Sequence, residues 1–290
     1  MNYATGHSIP QVDPPLPPWE TLPTMYDLPS EFPEEPGLPD EFHNLQPQLL
    51  SRTLSLADYE RENWFTGTDL NIYYDVHHPL WHQRPDWFIA LNVSRLYEGH
   101  DLRNSYVVWQ EGQSPTIVVE FLSPRTERED LGRFYRDSDQ VPAAGTNDQT
   151  PVMQTTPPNK FEVYEQYLRV PHYLVYSRYT QRLRYFKLTG TQYAEQATST
   201  ANPLIWLDDL KIGLGIWHGE FEGIPAQWLR WCDESGNWFL TDTEVAQQEA
   251  EAERLAKEQL QQEAVAAQQD AERLAEQLRV LGMNPDELSE

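Results

Sequence analysis

Residues 116–122 read TIVVEFL, a short apolar run interrupted by a single carboxylate, Glu120. Apolar side chains occupy both alternating positions of the run, which is typical of a strand buried on both faces in the middle of a helix-covered sheet. Burying an ionised carboxylate without a partner costs several kcal/mol. Glu120 is therefore expected to be neutral, to pair with a buried Arg or Tyr, or to bind a metal ion.

Other strand-like runs precede and follow this central run. Upstream, the runs DLNIYYD (69–75), DWFIALNV (86–93) and SYVVWQ (105–110) are rich in aromatic and β-branched residues. The first and third are predicted to pair with their sequence neighbours as antiparallel meanders. Downstream, HYLVYSRY (172–179) and RLRYFKL (182–188) are predicted to form a strand pair.

One helix is predicted between these two groups of strands, over NKFEVYEQYLRV (159–170). Asn159 is a suitable N-cap residue, and Pro171 would end the helix. Its predicted apolar face consists of Phe161, Tyr164, Tyr167 and Leu168. The strands and this helix together predict an α/β domain over residues 51–243, with a central mixed sheet flanked by helices.

The two ends of the chain differ in composition from this domain. Residues 1–50 hold 11 of the 23 prolines and no Lys or Arg, so an acidic, extended arm is predicted, in contact with the core through Trp19, Tyr26 and Leu49. Residues 244–290 predict a long C-terminal helix that begins after Thr241 or Thr243. A 4-3 spacing of apolar residues makes it either a solvated single helix or a weak dimerisation coiled coil, with the seam Leu260, Ala264, Ala267, Ala271, Leu274, Leu278 and Leu281.

Charge and cysteine content exclude several classes of protein. The formal net charge is −25, spread over the arm, the domain and the tail, which argues against avid non-specific DNA binding. Cys232 is the only cysteine, so a disulfide framework and a cysteine zinc site are both excluded. Because no signal peptide or transmembrane run is recognisable, a cytoplasmic protein without membrane contact is expected.

Asp86 and Lys160 join Glu120 as candidate site residues. Asp86 follows a proline at the start of a strand, where Asp commonly makes only a turn hydrogen bond, and a lysine at a helix end is commonly solvated. Together, however, two carboxylates and an ammonium meet the needs of phosphodiester hydrolysis. Carboxylates bind Mg²⁺ or Mn²⁺, which polarises the phosphate and activates water, and a lysine stabilises the developing negative charge.

A histidine metal site is a weaker hypothesis. His77, His78 and His82 are close in sequence, but their spacing suits a metal ion only on a helix. The surrounding DVHHPLWHQRP (75–85) contains two prolines and is predicted to be a loop.

Three motifs carry a resemblance to a known family: RPDWF (84–88), IVVEFLSP (117–124) and KFEVYEQYLRVPHYLVYS (160–177). They resemble the Uma-two family of endonucleases, a branch of the PD-(D/E)XK restriction-endonuclease-like fold. The lead-in LPTMYDLPSEFPEEPGLPDEFH (22–43) and the ending WLRWCDESGNWFLTDTE (228–244) resemble the same family, so the similarity covers nearly the whole chain.

The resemblance implies that Asp86 and Glu120 are ligands of Mg²⁺ or Mn²⁺, with the backbone carbonyl of Phe121 as a third ligand. The parent motif has a lysine two residues after the glutamate, where this chain has Leu122. In the resembled family the lysine comes from a helix of the K-x-x-x-Y type, which here starts at Lys160. The implied catalytic residues are therefore Asp86, Glu120 and Lys160, and without Lys160 metal binding could survive while catalysis is lost.

Two classes of function follow, with a third kept open. The favoured hypothesis is a metal-dependent endonuclease that cuts DNA, with self-association as a homodimer. The alternative is an inactive nuclease fold that binds or regulates and self-associates through its C-terminal helix, because a fold does not determine function. A scaffold protein acting through its arm and tail is the third hypothesis.

Overall fold

The computed structural model describes residues 40–123, 126–135, 156–198 and 203–281. These residues divide into two compact units, with the boundary between Trp238 and Phe239. The predicted contacts of the arm through Trp19 and Tyr26 lie outside the described residues.

Within the described residues of the first unit, the strands form three sheets. A six-stranded sheet has the order β1-β4-β6-β7-β8-β9, and two three-stranded sheets have the orders β10-β11-β12 and β3-β2-β5. The strands are β1 Trp64–Gly67, β2 Ile72–Tyr73, β3 His82–Gln83, β4 Trp87–Leu91, β5 Tyr106–Val107, β6 Ile117–Phe121, β7 His172–Ser177, β8 Arg182–Thr189, β9 Gln192–Gln196, β10 Leu204–Leu207, β11 Ile212–Phe221 and β12 Ile224–Cys232.

Strand β6 lies inside the six-stranded sheet, as its composition predicts. All five of its residues are buried, and it pairs antiparallel with β4 and parallel with β7. The sheet is therefore mixed, and helices accompany it, which confirms the predicted α/β class. Strands β7 and β8 form the predicted antiparallel pair, with Ser177 opposite Arg182.

The helices are α1 Glu41–Thr53, α2 Val108–Glu111, α3 Glu127–Leu131, α4 Lys160–Glu162 and α5 Asp242–Val280, and a π-helical segment, Val163–Tyr167, continues α4. The predicted extended conformation of residues 1–50 is wrong where it can be compared, because residues 41–50 are helical. Asp40 caps α1 by accepting a hydrogen bond from the backbone N–H of His43, and Leu49 is fully buried. A single proline, Pro47, inside α1 does not prevent the helix.

Helix α1 links the central sheet to the β10-β11-β12 sheet. The amide of Gln46 exchanges two hydrogen bonds with the backbone of Leu229 in β12, at 2.9 and 2.7 Å. On the other side, Trp87 of β4 donates from its indole nitrogen to the hydroxyl of Ser51 at 2.8 Å. These hydrogen bonds pair the buried polar groups of α1 with groups on β4 and β12, and they hold the helix in one position against the two strands.

Two local predictions need correction. β2 pairs antiparallel with its sequence neighbour β3, but β5 pairs parallel with the distant β2, so the predicted antiparallel pairing of β5 with its sequence neighbours is wrong. The predicted helix over 159–170 begins as expected, since the side chain of Asn159 accepts from the backbone N–H of Glu162. Its second half is π-helical, and the wider turn leaves Tyr167 exposed while Tyr164 is buried.

The second unit consists mainly of α5. Thr241 caps this helix in a capping box with Glu244, which confirms the predicted start. Seam residues such as Leu260 and Leu274 are exposed, so self-association through the helix stays a prediction. In the described part of the chain, no helix combines the length and the apolarity that a bilayer crossing needs.

Candidate functional site

Asp86 and Glu120 face each other across two neighbouring strands. β4 and β6 pair with Trp87 opposite Val119, and the same register continued by one residue places Asp86 opposite Glu120. Side chains alternate between the two faces of a strand, so both carboxylates lie on the face that α4 and its π-helical continuation cover.

Glu120 is fully buried, and its two carboxylate oxygens have three partners. The ammonium of Lys160 lies 2.8 Å from Oε2, and the backbone N–H of Asp86 donates to the same oxygen at 3.4 Å. The hydroxyl of Tyr164 donates to Oε1 at 2.7 Å. The structure thus brings together all three residues singled out from the sequence.

Asp86 is held by the residue that follows Glu120. The backbone N–H of Phe121 donates to Oδ2 of Asp86 at 2.6 Å. Asp86 is partly exposed, whereas Glu120 is not, so Asp86 lies on the outer side of the pair.

Asp130 is a fourth member of the cluster, and the sequence interpretation missed it. It lies in α3, is 1% exposed, and places Oδ1 2.8 Å from the ammonium of Lys160. The hydroxyl of Tyr173 donates to the backbone carbonyl of Asp130 at 2.8 Å, which fixes this end of α3. In sequence Asp130 ends an acidic run, residues 127–130, which has the composition of a solvated helix face, so nothing there distinguished it.

His43 of α1 contacts the opposite side of the β6 end. Its Nε2 lies 3.0 Å from the carbonyl oxygen of Phe121, and its Nδ1 lies 2.8 Å from Oδ1 of Asp40. A carbonyl and an ionised carboxylate only accept hydrogen bonds, so the protonated imidazolium form of His43 satisfies both contacts. Arg178 pairs with the second oxygen of Asp40.

Burial and charge together shift the protonation of the cluster. Burial raises the pKa of Glu120 well above its usual value, with Asp86 adding to the increase and Lys160 opposing it. Burial also raises the pKa of Asp86, although Lys160 and the hydrogen bond from Phe121 oppose the shift. Burial lowers the pKa of Lys160, but Asp130 and Glu120 outweigh it and raise that pKa well above the usual value.

The cluster contains three carboxylates and one ammonium, so with all groups ionised its net charge is −2, and protonated His43 nearby offsets part of the negative charge at Asp86. Uncompensated charge in a buried site is costly, and it is relieved either by protonation or by a cation. A divalent cation would offset the net charge of the cluster.

The donor atoms suit a hard divalent cation. Asp86, Glu120 and the carbonyl of Phe121 all present oxygen, and Mg²⁺ is commonly bound through one or two carboxylates with water and substrate phosphates. Among the described residues, no group of three or more His, Cys, Asp and Glu side chains is arranged to hold a metal ion. Asp86 and Glu120 supply two carboxylates of the kind that such an ion takes.

Other features of the first unit lie apart from this cluster. The ring of His78 stacks on Trp81 at 3.7 Å between centroids and pairs with Asp75. A cavity of about 780 Å³ is lined by α1, the β7–β8 turn and the β11–β12 hairpin and includes Phe42 and Trp228. Neither feature includes a residue of the carboxylate cluster.

The chain matches a known protein family over most of its length. Residues 17–216 match the Uma2 family, described as "Putative restriction endonuclease". No curated protein matches the chain. The matched residues include the whole cluster and most of the chain. The family's description suggests a nuclease, a class that acts on nucleic acid and generally uses divalent metal ions. The chain therefore belongs to the Uma2 family and carries its restriction-endonuclease-like fold.

Proposed function

We propose that this protein is a metal-dependent endonuclease that hydrolyses phosphodiester bonds in DNA, with Asp86, Glu120 and Lys160 as its catalytic residues. The observation that supports the proposal is the contact of Lys160 with Glu120, at 2.8 Å, beside Asp86. These three residues are up to 74 positions apart in the sequence, yet they meet where β4 begins and β6 ends.

Asp86 and Glu120 would hold Mg²⁺ or Mn²⁺, with the carbonyl of Phe121 as a third oxygen donor. When bound, such an ion supplies Lewis-acid polarisation of the phosphate and a lowered pKa for a coordinated water. The net negative charge of the cluster supports the binding of a cation.

Lys160 has the position and charge to stabilise the reaction. Its ammonium donates toward the carboxylate edge and would donate equally to the attacking water or to a phosphate oxygen that gains negative charge. Tyr164 occupies Oε1 of Glu120 and so fixes the rotation of that carboxylate. Water attack in line with the leaving oxygen then needs no covalent intermediate with the protein.

The remaining parts of the proposal concern partners and location. The net charge of −25 favours a substrate held by the site and its metal ion over a broad basic surface. A buried, single Cys232 is compatible with a reducing compartment such as the cytoplasm. Self-association through α5 belongs to the same proposal.

Cleavage of supercoiled and single-stranded DNA by the full-length protein, with Mg²⁺ or Mn²⁺, tests the proposal. Glu120→Gln, Asp86→Asn and Lys160→Met are each expected to lose about 100-fold or more in rate. Asp58→Asn, at an exposed ion pair with Lys211, is the matched control and should retain full activity. Folding of each variant is checked by circular dichroism.

Metal-dependent nicking that all three substitutions abolish would support the nuclease and its residues together. Absence of cleavage by the wild-type protein would contradict the proposal, and so would cleavage that persists in the variants. The inactive binding module would then become the better hypothesis.

A further inference from the structure

Lys160 has two carboxylate partners, although a general-acid or charge-stabilising lysine needs only one to orient it. Its ammonium lies 2.8 Å from Oε2 of Glu120 and 2.8 Å from Oδ1 of Asp130. Glu120 belongs to the proposed metal-binding pair, whereas Asp130 lies on α3 and is not part of that pair. The two partners therefore have different relations to the site.

We propose that Asp130 is the positioning residue of this site: it holds the Lys160 ammonium at the carboxylate pair when the charge of Glu120 is engaged by a cation. This inference builds on the proposed nuclease function and extends it to a residue outside the Asp-Glu-Lys set.

The first argument is electrostatic. A cation that shares the charge of Glu120 weakens the attraction between Glu120 and Lys160 and adds a repulsion between like charges. Without a second partner, the flexible four-carbon stem of Lys160 would let the ammonium move away. Asp130 is 1% exposed, so its attraction for Lys160 is screened little by water.

The second argument concerns rigidity. Asp130 lies near the C-terminal end of α3, where the hydroxyl of Tyr173 in β7 donates to its backbone carbonyl at 2.8 Å. Tyr173 is fully buried in the core, so the backbone of Asp130 is tied to the same sheet that carries Glu120. The contact of Asp130 with the Lys160 ammonium is an ion pair without hydrogen-bond geometry, so a buried, anchored Asp130 would hold the ammonium by its charge.

A structural role alone is the simpler interpretation of Asp130, and it makes a different prediction. If Asp130 only neutralised a buried lysine, its loss would lower the stability of the protein without a separate effect on turnover. If it positions Lys160, its loss would lower kcat after correction for folded fraction, while Mg²⁺ affinity and KM for DNA would change little.

The first test is kinetic and uses Asp130→Asn, which keeps the size of the side chain and removes its charge. The expected result is a loss of about 100-fold in kcat with KM and the Mg²⁺ midpoint within about threefold of wild type. Asp58→Asn makes the same chemical change at an exposed Lys–Asp pair with the same 2.8 Å separation, and it should change nothing. Asp130→Glu is expected to restore part of the rate.

The second test observes the ammonium directly and needs no cleavage. The chain has four lysines, and Lys187, Lys211 and Lys257 are exposed, so the ¹⁵N-labelled ammonium of Lys160 should give a distinct, slowly exchanging NMR signal. In wild type the signal should persist when Mg²⁺ is added. In Asp130→Asn it should be present without Mg²⁺, held by Glu120, and should disappear when Mg²⁺ is added.

The outcomes separate the two proposals. If wild type does not cleave DNA, the nuclease proposal fails, while the NMR experiment still decides the position of Lys160. If wild type cleaves and Asp130→Asn cleaves within threefold of it, or if the Lys160 signal survives Mg²⁺ in that variant, the role of Asp130 is wrong. If Asp130→Asn does not fold, Asp130→Glu takes its place in the kinetic test. If Asp130→Glu keeps the wild-type kcat although its Lys160 signal is lost on adding Mg²⁺, the proposal is also contradicted, because turnover then does not depend on the position of Lys160.

Discussion

Three donors converge on the two oxygens of Glu120, and this local arrangement explains why a carboxylate is tolerated inside β6. The sequence alone left its partner open between a neighbouring Arg or Tyr and a metal ion. The structure gives it a tyrosine and a lysine, Tyr164 and Lys160, and leaves the net charge of the cluster negative. At this scale the sequence identified the three proposed catalytic residues through their motifs but not Asp130 or His43. Asp130 lies in an acidic segment typical of a solvated helix face, and His43 ends the lead-in of residues 22–43, whose sequence indicates no chemistry.

His43 provides a pH-dependent prediction at the same scale. Burial lowers its pKa, but the hydrogen bond to Asp40 and the charge of Asp86 outweigh burial, so the folded-state pKa lies above the usual value of 6.5. A raised folded-state pKa means that His43 contributes stability fully below about pH 6.5 and loses it as the pH rises through the folded-state pKa.

We therefore expect His43→Leu to destabilise the protein by about 1–3 kcal/mol near pH 6 and by less near pH 9. Urea denaturation of wild type and variant at both pH values measures the difference. His82→Leu, at an exposed histidine, is the control. A destabilisation that grows with pH would show that His43 is neutral in the folded protein.

The sequence predicts an element correctly where the composition of a segment is uniform. It predicts the element wrongly where one segment contains two kinds of structure. The TIVVEFL run was correctly predicted as a buried strand because every residue in it except Thr116 and Glu120 is apolar. Residues 1–50 were treated as one proline-rich unit, although Asp40 as a cap and apolar residues at helical spacing mark the start of α1 within it. The parallel pairing of β2 with β5 could not be predicted from local spacing, because their partnership depends on residues more than 30 positions apart.

Gly132, at the end of α3, carries a prediction about how elements position the site. Its φ is +49°, and an added Cβ would lie 2.7 Å from Cγ of Phe161, the residue after Lys160. Gly190 has a similar φ of +64° but no heavy atom within 4 Å of an added Cβ. Both Gly→Ala substitutions strain the backbone, but only the first also displaces a buried ring.

Gly132→Ala should therefore cost about 1–3 kcal/mol more in free energy of unfolding than Gly190→Ala. Chemical denaturation of both variants measures the difference, and DNA cleavage should fall only in Gly132→Ala because Phe161 would push on Lys160. Equal effects of the two substitutions would show that α3 and α4 do not need this close approach.

At the scale of the whole molecule, charge constrains how the substrate is held. The chain carries −25, and the acidic residues are spread over the arm, the domain and the tail. A nuclease with so much negative charge cannot contact many DNA phosphates, because each neutralised phosphate needs a Lys or Arg. The number of contacts can be measured, since each neutralised phosphate adds about −0.9 to the slope of log K against log salt. The composition predicts the excess of negative charge, whereas the position of the carboxylate cluster within the fold is known only from the structure.

A shallow salt dependence is therefore expected for DNA binding. With Glu120→Gln, which should bind without cutting, fluorescence anisotropy on a duplex should give a slope on the order of −3 or smaller in magnitude, equivalent to about three phosphates. Arg84→Gln, an exposed arginine two residues before Asp86, tests whether one of those contacts lies at the site. A slope near that of strongly basic DNA-binding proteins would contradict the idea that the site itself holds the substrate.

Binding of Mn²⁺ tests the central claim most directly, because it requires no substrate and reports on the carboxylates themselves. Electron paramagnetic resonance titrations of full-length wild type, Asp86→Asn, Glu120→Gln and the control Asp58→Asn would count bound ions. We expect a site of one Mn²⁺ per chain in wild type and in the control, and loss of that site in both cluster variants. Undiminished Mn²⁺ binding in Asp86→Asn and Glu120→Gln would contradict the account, because these carboxylates would then not form the metal site.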